Sequence, residues 1–515
     1  MALEGEGDET VGREGADLVL AVDCSTTAAK AVVFDATGRA LATGRHPIPL
    51  TRSAVGIPGA HEQHADDWWS ATCVAVRAVV AQVDATRIAS VTVTHQRESF
   101  VCLDGVEELR PAILWLDSRA RREVEELGST RVHEVSGRPP DTTPSLYKIA
   151  WLARHEPAVI ERATRIGDVG AYLSLRLTDR WASSWASADS TGLMDMRTLS
   201  WSAELCDLAG IRVEQLPVCV RPGDVVGEVT AAAAAATGLR AGTPVVAGGG
   251  DGQCAAIGAG AVAPGTLYLN VGTALVCGSV SADYSFDRSY RTVAAAGGSG
   301  YLLEAFLSSG TYLVTWFCET FGPFGSTGVA LAPEELLEVA AAKIAPGSGG
   351  LLALPYWNGA QTPHWDAAAR GAVVGWTGGH TRAHLYRALL EGIAFEAKTL
   401  VDGVAAAVGA PHTRLVTGGG SRSALWAQVL ADVSGSPLVL CAEPETTALG
   451  AGMIGATAAG LHPDLAAAAA AMGHLGRTVV PDPAAVAVYA DLGEIHATLY
   501  SALRPAMTAL RAYSP

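Results

Sequence analysis

Five consecutive residues near the start of the chain combine a carboxylate with small hydroxyl side chains. An apolar run ends at Asp23, and Cys24-Ser25-Thr26-Thr27 follow directly. A tight turn of this composition offers backbone N–H groups and hydroxyls to phosphate oxygens, while the carboxylate faces a hard cation. We therefore interpret Asp23 as facing magnesium and Ser25, Thr26 and Thr27 as facing a polyphosphate. The alternative is an ordinary Asp/Ser/Thr turn without a ligand.

Two later turns have a related character. An apolar strand ends at Gly272-Thr273, which repeats the strand–turn–strand theme of the first motif about half a chain later. Farther on, a strand runs into Gly419-Gly420, and a helix begins near Ser423. Glycines let a ligand approach the backbone, and a helix N-terminus favours phosphate or the polar groups of a nucleoside. The alternatives are a common hairpin and a glycine loop that serves packing alone.

Asp251 lies inside a run of glycines. Residues 250–255 formally fit the relaxed dinucleotide fingerprint, but Asn270 and its neighbours stand where that fingerprint needs an acidic residue. The Asp251 carboxylate is better explained by a catalytic role, because on a glycine-rich loop no neighbouring side chain hinders its approach to a substrate hydroxyl. The sequence therefore predicts Asp251 as a general base.

Arg97 and Glu98 follow a buried strand, at the end where ligands usually bind in an α/β sheet. Together they could hold vicinal hydroxyls, one donating and one accepting hydrogen bonds. Trp115 could offer an apolar face to a carbon chain. The alternatives are an exposed ion pair and a core tryptophan. His61 and His64 are not surrounded by a helical pattern, which argues against a metal site there.

Charge and composition exclude several classes of function. The 515 residues carry 36 basic and 52 acidic side chains, a net charge of −16, which argues against nucleic acid or an anionic membrane as partner. No apolar run is long enough to span a bilayer. Nine cysteines without a C-x-x-C pair favour a reducing, cytoplasmic location and no zinc site. None of the four lysines follows glycine, so there is no P-loop.

The elements that would position these residues alternate between strand and helix. The pattern predicts a helix over Trp68–Val83, capped by Asp66 or Asp67, between apolar strands. Such alternation is typical of an α/β protein. These strands lie at 18–22, 31–34 and 88–93.

The repeated strand–turn–strand theme predicts a duplicated architecture. We expect a disordered tail over residues 1–16, an N-terminal domain over 17–250 and a C-terminal domain over 251–515. Each domain would carry its own phosphate hairpin.

Longer motifs resemble the FGGY carbohydrate kinases, within the actin-like ATPase superfamily. Residues 145–152 match the first family signature, with Thr143 departing from its usual leading residue. Residues 371–375 and 384–391 match the second, with Trp376 in place of the usual aliphatic. Several shorter segments are similar to the xylulokinase branch: 191–195, 355–356, 362–366, 369–371 and the glycine-rich loop around Asp251.

The resemblance implies two ribonuclease-H-like domains with a cleft between them, in which sugar and ATP meet. The N-terminal domain would carry the sugar site with its phosphate hairpin, and the C-terminal domain would bind the nucleotide. It implies Asp251 as base, Asp23 near Mg²⁺, and an ATP site made by the two hairpins and the glycine loop. That ATP site comprises Ser25, Thr26, Thr27, Gly272, Thr273, Gly419, Gly420 and Ser423. The family usually has glycine where this chain has Ser25, and a serine fits there with a negative φ.

The acceptor implied is a sugar or polyol. Gln96-Arg97-Glu98 resembles the glycerol kinase form of the segment, whereas most of the chain resembles xylulokinases. Thr143 replaces the polyol-contacting tyrosine of glycerol kinases. We therefore expect transfer of the γ-phosphoryl of ATP to a terminal primary hydroxyl of a xylulose-like ketose or a polyol. A catalytically silent binding protein is the alternative, and the oligomeric state stays open, with a homodimer among the options.

Overall fold

The structure is a computed structural model, and it describes residues 15–52, 57–321, 333–443 and 445–513. The tail expected over residues 1–16 therefore lies outside the described residues, apart from its last two. Across the described ranges, no helix is both long enough and apolar enough to cross a bilayer.

Strands occur along most of the described chain. They are β1 Leu18–Cys24, β2 Ala28–Asp35, β3 Ala40–Pro47, β4 Thr51–Arg52, β5 His61–Gln63, β6 Ile88–His95, β7 Phe100–Asp104, β8 Glu107–Glu108, β9 Ala112–Ile113, β10 Arg165–Asp168, β11 Ala182–Ser184, β12 Met194–Asp195, β13 Ser200–Trp201, β14 Val218–Val220, β15 Val225–Glu228, β16 Pro244–Gly250, β17 Thr266–Val271, β18 Leu275–Ser281, β19 Arg291–Ala294, β20 Tyr301–Leu307, β21 Leu352–Leu354, β22 Ala372–Val374, β23 Thr413–Thr417, β24 Leu438–Cys441 and β25 Leu475–Val479.

Helices alternate with these strands. They are α1 Ala65–Val80, α2 Arg121–Leu127, α3 Thr130–Ser136, α4 Ser145–His155, α5 Pro157–Arg162, α6 Val169–Thr178, α7 Trp185–Ala188, α8 Ala203–Ala209, α9 Ala231–Thr237, α10 Asp251–Ala259, α11 Thr311–Phe321, α12 Pro333–Ala341, α13 Arg382–Val408, α14 Ala424–Ser434, α15 Thr446–Ala458, α16 Leu465–Met472 and α17 Pro483–Leu510.

Two large mixed sheets organise the molecule beside a third, antiparallel sheet of order β10-β7-β9-β5-β4, which confirms the α/β class. The first has the strand order β15-β16-β6-β1-β2-β3, and the second has the order β19-β20-β18-β17-β23-β24-β25. In the first, β1 pairs antiparallel with β2 and parallel with β6. In the second, β17 pairs antiparallel with β18 and parallel with β23. The hairpins at Asp23 and Gly272 thus occupy equivalent places in separate sheets.

The register of the first sheet brings the predicted site segments to one edge. Cys24 at the end of β1 lies beside His95 at the end of β6, and His95 lies beside Gly250 at the end of β16. All three strands run parallel, so the residues that follow them emerge at the same carboxyl edge. Apolar side chains bury these strands on both faces, which fixes that register.

A helix from the second half of the chain completes the core of the first sheet. Helix α15 packs on β1 and β6, where Leu449 and Ile454 join the buried cluster of Val19 and Ala21. It also crosses α10 at very close range, since a Cβ on Gly450 would lie 1.9 Å from the carbonyl oxygen of Cys254. The two halves are therefore joined by packed helices as well as by the connecting chain.

The start of α1 differs from its prediction. The helix begins at Ala65, with His64 at the N-cap position and no side-chain cap, and it ends at Val80 rather than Val83. Asp66 and Asp67 lie in its first turn instead of capping it. The Asp66 carboxylate is used elsewhere, because it accepts hydrogen bonds from the Tyr172 hydroxyl at 2.6 Å and from an Arg176 N–H at 2.6 Å.

Candidate active site

Glu98 interrupts the extended backbone that follows β6. Its φ is +60°, in the left-handed region that non-glycine residues rarely adopt. In continued strand, Arg97 and Glu98 would point to opposite sides of the sheet. The break instead brings both side chains into one buried cluster, with residue exposures of 7% and 5%. The alternative of an exposed ion pair is therefore wrong.

Partners from other elements surround these two residues. The Glu98 carboxylate accepts hydrogen bonds through Oε1 from Arg138, in the loop after α3, and from Arg291 Nη1 on β19 at 3.2 Å. Arg97 donates instead to Glu304 on β20, at 3.0 Å from Nη2 and 3.2 Å from Nη1. The cluster therefore joins residues that follow β6 of the first sheet to residues on β19 and β20 of the seven-stranded sheet.

Glu304 is the anionic centre of this cluster. It is fully buried and lies opposite Arg291 in the register of β19 and β20. Burial alone would raise the pKa of Glu304, but the charges of Arg291 and Arg97 outweigh that effect and lower it to about 2. Glu304 therefore stays ionised and holds the guanidinium groups of both arginines in place.

Asp251 lies next to this cluster as the first residue of α10. Its Oδ1 accepts the backbone N–H of Gly252 at 2.8 Å and lies 3.2 Å from Arg97 Nε. The side chain is 44% exposed, so a ligand can reach the carboxylate. Desolvation raises the pKa of Asp251, while the charge of Arg97 opposes that rise.

Asp23 carries a carboxylate oxygen with no hydrogen-bond partner. Its Oδ1 is buried and unpaired among the described residues. Burial, followed by the negative charge of Asp251, raises the pKa of Asp23 to about 7, and Lys30 opposes the rise. A buried carboxylate oxygen beside a second carboxylate is what a hard divalent cation would satisfy. Asp23 thus fits the magnesium role expected for it.

The first hairpin joins β1 to β2, and the hydroxyl of Thr26 faces the acceptor side of the site. Ser25 lies outside the left-handed region, as expected for a serine at this position, and its hydroxyl donates to the Ala28 carbonyl at 2.8 Å. Thr26 Oγ1 accepts the indole N–H of Trp115 at 2.9 Å and donates to Gln96 Oε1 at 3.1 Å. A phosphate could therefore bind the backbone N–H of Thr26 more readily than its hydroxyl, which already has two partners.

The remaining first-hairpin and acceptor residues are accessible. Thr27 is exposed, and Trp115 is half-buried. The backbone N–H of Trp115 donates to the hydroxyl of Ser99 at 3.1 Å, which fixes the residue next to the Arg97–Glu98 segment. Trp115 is therefore not a fully buried core tryptophan, and part of its surface is open to a ligand.

The second hairpin is held by the start of α11. Gly310 N–H donates to the Thr273 carbonyl at 2.9 Å, and Thr311 N–H donates to the Gly272 carbonyl at 2.7 Å. The Thr273 side chain is exposed. Sequence reasoning missed the role of Gly310 and Thr311, although the run of small residues after β20 was a signal. The N-terminus of α11 thus lies beside the turn assigned to phosphate.

The glycine loop after β23 serves both packing and access. A Cβ on Gly420 would lie 2.5 Å from Val271, so this glycine is required by packing, whereas Gly419 is exposed with open space around it. The hydroxyl of Ser423 caps α14 by accepting the Trp426 N–H at 3.0 Å and donates to Glu338 at 2.7 Å. The nucleotide role of Ser423 stays a prediction, since this hydroxyl already has partners.

Several buried polar residues of the cluster were not found by sequence reasoning. Gln253 on α10 donates to the carboxylate of Asp189 at 3.1 Å, and Asp189 also accepts the Ala294 N–H at 2.7 Å. A lone charge in an otherwise apolar strand was the available signal for the residues on β19 and β20. The residues missed are Arg138, Asp189, Gln253, Arg291 and Glu304.

Comparison with known proteins identifies the family. The N-terminal domain model of the FGGY family of carbohydrate kinases matches residues 18–258, and the C-terminal domain model matches residues 267–459. A xylulose kinase of Bacillus subtilis is 29% identical over 505 residues, covering 96% of this chain and 99% of the relative. An autoinducer-2 kinase of Klebsiella pneumoniae is 30% identical over 502 residues, with coverages of 94% and 93%.

A solved structure agrees with this result. The gluconate kinase from Lactobacillus acidophilus superposes with a TM-score of 0.89 at 26% identity, covering 96% of this chain and 99% of that one. The expected fold, two ribonuclease-H-like domains of the actin-like ATPase superfamily, is confirmed. The boundary between residues 250 and 251 stays a prediction. The chain therefore belongs to the FGGY family of carbohydrate kinases.

Proposed function

We propose that this carbohydrate kinase transfers the γ-phosphoryl of ATP to a terminal primary hydroxyl of a xylulose-like ketose or a polyol. The observation that carries the proposal is the position of Asp251, an accessible carboxylate 3.2 Å from Arg97, beside a buried set of hydrogen-bonding groups. A base in that position can accept the proton of a hydroxyl held by those groups. Sugar kinases of this family use ATP as their phosphoryl donor.

The acceptor would be held by Arg97, Glu98 and Trp115. No hydrogen bond within the described residues uses Oε2 of Glu98, so this oxygen is free to accept from a sugar hydroxyl. The exposed part of Trp115 would cover the carbon chain. Asp251 would orient the reacting hydroxyl and take its proton as the bond to phosphorus forms.

The nucleotide would bind along the two hairpins and the glycine loop. Ser25, Thr26 and Thr27 would face the phosphates from one side, and Gly272 and Thr273 would face them from the other. Phosphoryl transfer depends mainly on positioning and charge neutralisation, which backbone N–H groups of such turns provide.

Gly419, Gly420 and Ser423 would lie near the nucleoside. Open space at Gly419 supports a close approach of the ligand to the backbone. Asp23 would hold Mg²⁺, which neutralises phosphate charge when bound.

A second candidate acceptor is a sugar acid. Arg138 is 2% exposed, and its Nε and Nη2 have no hydrogen-bond partner in the described part of the chain. A carboxylate on the acceptor could satisfy both N–H groups. Against this, Glu98 lies on the same arginine and would repel a second carboxylate, so the neutral ketose or polyol is the first choice.

An acceptor panel tests the proposal. Purified protein with ATP and Mg²⁺ would be assayed for ADP release on xylulose, glycerol, gluconate and autoinducer-2, with basal ATP hydrolysis subtracted. We expect a neutral ketose or polyol to give the highest rate, and mass spectrometry to find one phosphoryl group on its terminal hydroxyl oxygen. Preference for gluconate would select the second candidate. ATP binding without transfer to any acceptor would favour the catalytically silent alternative.

The free cysteines support a cytoplasmic location. All nine are unpaired, and six of them are buried. Thiols in this state are typical of a reducing compartment. A homodimer stays a prediction, which light scattering on the purified protein would check.

A further inference from the structure

Lys148 on α4 is a fully buried lysine with an unusual set of partners. Its exposure is 0%, and its ammonium donates hydrogen bonds to three backbone carbonyls. These are the carbonyls of Glu98 at 3.1 Å, Leu114 at 3.1 Å and Thr143 at 2.6 Å. An ammonium has three N–H groups, so the three carbonyls use all of them.

Each of the three carbonyls belongs to a segment on the acceptor side of the site. Glu98 is one of the proposed sugar contacts, and Leu114 directly precedes Trp115, which is another. Thr143 ends the loop that carries Arg138, the partner of the Glu98 carboxylate. One ammonium therefore joins three chain segments that are distant in sequence but adjacent at the site.

The backbone of Glu98 needs such a restraint. A non-glycine residue with φ of +60° persists only where surrounding groups hold it. The Glu98 carbonyl accepts from Ser145 Oγ at 3.1 Å as well as from Lys148, and its N–H donates to Ser190 Oγ at 3.3 Å. This conformation is the one that brings the Glu98 carboxylate to the same side as Arg97.

Packing alone does not explain a lysine at this position. Within the described ranges Lys148 forms no salt bridge, and burying an ammonium without an ion pair is costly unless its hydrogen bonds are satisfied. A methionine would fill the same space without that cost. The charge is therefore retained for the three hydrogen bonds that it makes.

We propose that Lys148 is a positioning residue for the acceptor: it holds Glu98 in its left-handed conformation and fixes the Trp115 and Thr143 segments around it. The proposal rests on the proposed function for its kinetic consequence, but its structural consequence holds whatever the acceptor. The nucleotide side of the site contains none of the three carbonyls. Loss of Lys148 should therefore affect acceptor binding and spare ATP binding.

The first test is Lys148→Met, with Lys398→Met as the matched control. Lys398 is a half-exposed lysine that pairs with Asp402 on the surface of α13, so the same substitution there should change nothing. With the acceptor selected from the panel, we expect Lys148→Met to raise the acceptor KM about tenfold or more, as loss of hydrogen bonds to a charged group implies. The KM for ATP should stay within about twofold.

The pH profile gives a readout that a purely structural lysine would not move. Burial lowers the pKa of Lys148 to about 8, although Glu98, Asp117 and Asp141 oppose that shift and Arg119 adds to it. Above that pH a neutral amine has only two N–H groups for three carbonyls. The acceptor KM of the wild type should rise through pH 8, and that of Lys148→Met should not.

Two milder variants keep the proposal testable if Lys148→Met does not fold. Ser145→Ala and Ser190→Ala each remove one hydrogen bond from the Glu98 backbone and leave the lysine in place. Both should raise the acceptor KM severalfold with little effect on ATP. If neither changes the acceptor KM, or if both substrates are affected equally, the proposal is overturned.

A crystal structure of Lys148→Met, or of Ser145→Ala if the first variant fails, separates this inference from the proposed function. We expect Glu98 to leave the left-handed region and its carboxylate to lose Arg138 or Arg291. An unchanged Glu98 would overturn the positioning role even if the kinase is fully active. A displaced Glu98 would support it even if the wild type phosphorylated none of the acceptors in the panel, an outcome that would count against the proposed function only.

Discussion

Arg97 Nε lies 3.2 Å from Asp251 Oδ1, and the same guanidinium donates two hydrogen bonds to the buried Glu304. The proposed base on α10 is therefore joined through one arginine to a carboxylate on β20, in the seven-stranded sheet. Because Glu304 fixes the orientation of Arg97, the arginine cannot follow Asp251 freely. The Asp251 carboxylate is thus held towards the place where an acceptor hydroxyl would lie.

Replacing Asp251 by asparagine should remove most of the turnover and leave binding intact. Asparagine keeps the shape and can accept a hydrogen bond, but it cannot take the proton. We expect kcat to fall by about 10²- to 10⁴-fold, the usual contribution of general-base assistance. Coupled ADP release measures the rate, and calorimetry checks that ATP and sugar still bind.

Asp207→Asn, an exposed position on α8, provides the matched control. If the kcat of Asp251→Asn lies within about threefold of the wild-type kcat, Asp251 is not the general base, because general-base assistance contributes far more than that.

The coupling free energy between Glu98 and Arg138, measured by a double-mutant cycle, should exceed that between Glu98 and Arg97. The carboxylate of Glu98 bonds to Arg138, whereas Arg97 bonds to Glu304 and Asp251. Glu98→Ala and Arg138→Ala should each raise the acceptor KM, and the double variant should cost less than their sum by about 0.5–3 kcal/mol.

The pair Glu98→Ala and Arg97→Ala is the comparison cycle. Strict additivity for Glu98 and Arg138, measured as kcat/KM for the acceptor, would contradict a role for their ion pair in acceptor binding.

Thr273→Val should weaken ATP binding and leave the acceptor almost unaffected. The Thr273 side chain is exposed at the second hairpin, and its carbonyl is already held by Gly310. Valine keeps the shape of threonine without the hydroxyl that is expected to face phosphate. Calorimetric titration of each ligand would measure the effect, and equal weakening of both ligands would argue against the assignment.

Glu396→Gln should stabilise the protein more at pH 8 than at pH 5.5. Burial raises the pKa of Glu396 to about 7, above its unfolded value, although a hydrogen bond from Tyr356 opposes the rise. Between the unfolded pKa of Glu396 and its native pKa, the native state keeps a proton that the unfolded state has lost. The free energy of unfolding that this carboxyl contributes is therefore lost as the pH rises through 7. Glutamine resembles the protonated acid at every pH.

The gain in unfolding free energy at pH 8 should exceed the gain at pH 5.5 by about 2 kcal/mol at most, and thermal or denaturant unfolding at both pH values would measure it. Glu494→Gln, at an exposed position on α17, is the control. An equal effect of Glu396→Gln at both pH values would show that the carboxyl does not titrate in this range.

The arrangement of the strand ends could be predicted from the sequence because it depends on short-range pattern. Buried apolar strands ending at Asp23, His95 and Gly250 were recognisable, and parallel neighbours bring their carboxyl ends together. Turns of glycine and hydroxyl residues marked the hairpins for the same reason. These features need only the local chain and the rules of sheet pairing.

The ionic partners of the site could not be predicted in that way. Arg291 and Glu304 are neighbours only because β19 and β20 pair in one register, and Arg138 reaches Glu98 across a loop. The left-handed backbone of Glu98 depends on Lys148, which is separated from it by 50 positions. Such relationships arise from tertiary packing, which overrides the extended conformation that the sequence around Glu98 favours.

The position of α15 has a consequence for how the chain matures. Its side chains cover one face of β1 and β6, yet a ribosome makes it only after most of the second half, up to residue 445, has been synthesised. Until then, the first sheet emerges with an apolar face open to water, a state that invites aggregation or chaperone binding. The core of the N-terminal domain is therefore incomplete until α15 has been synthesised. A truncated chain ending at residue 250 should fail to fold.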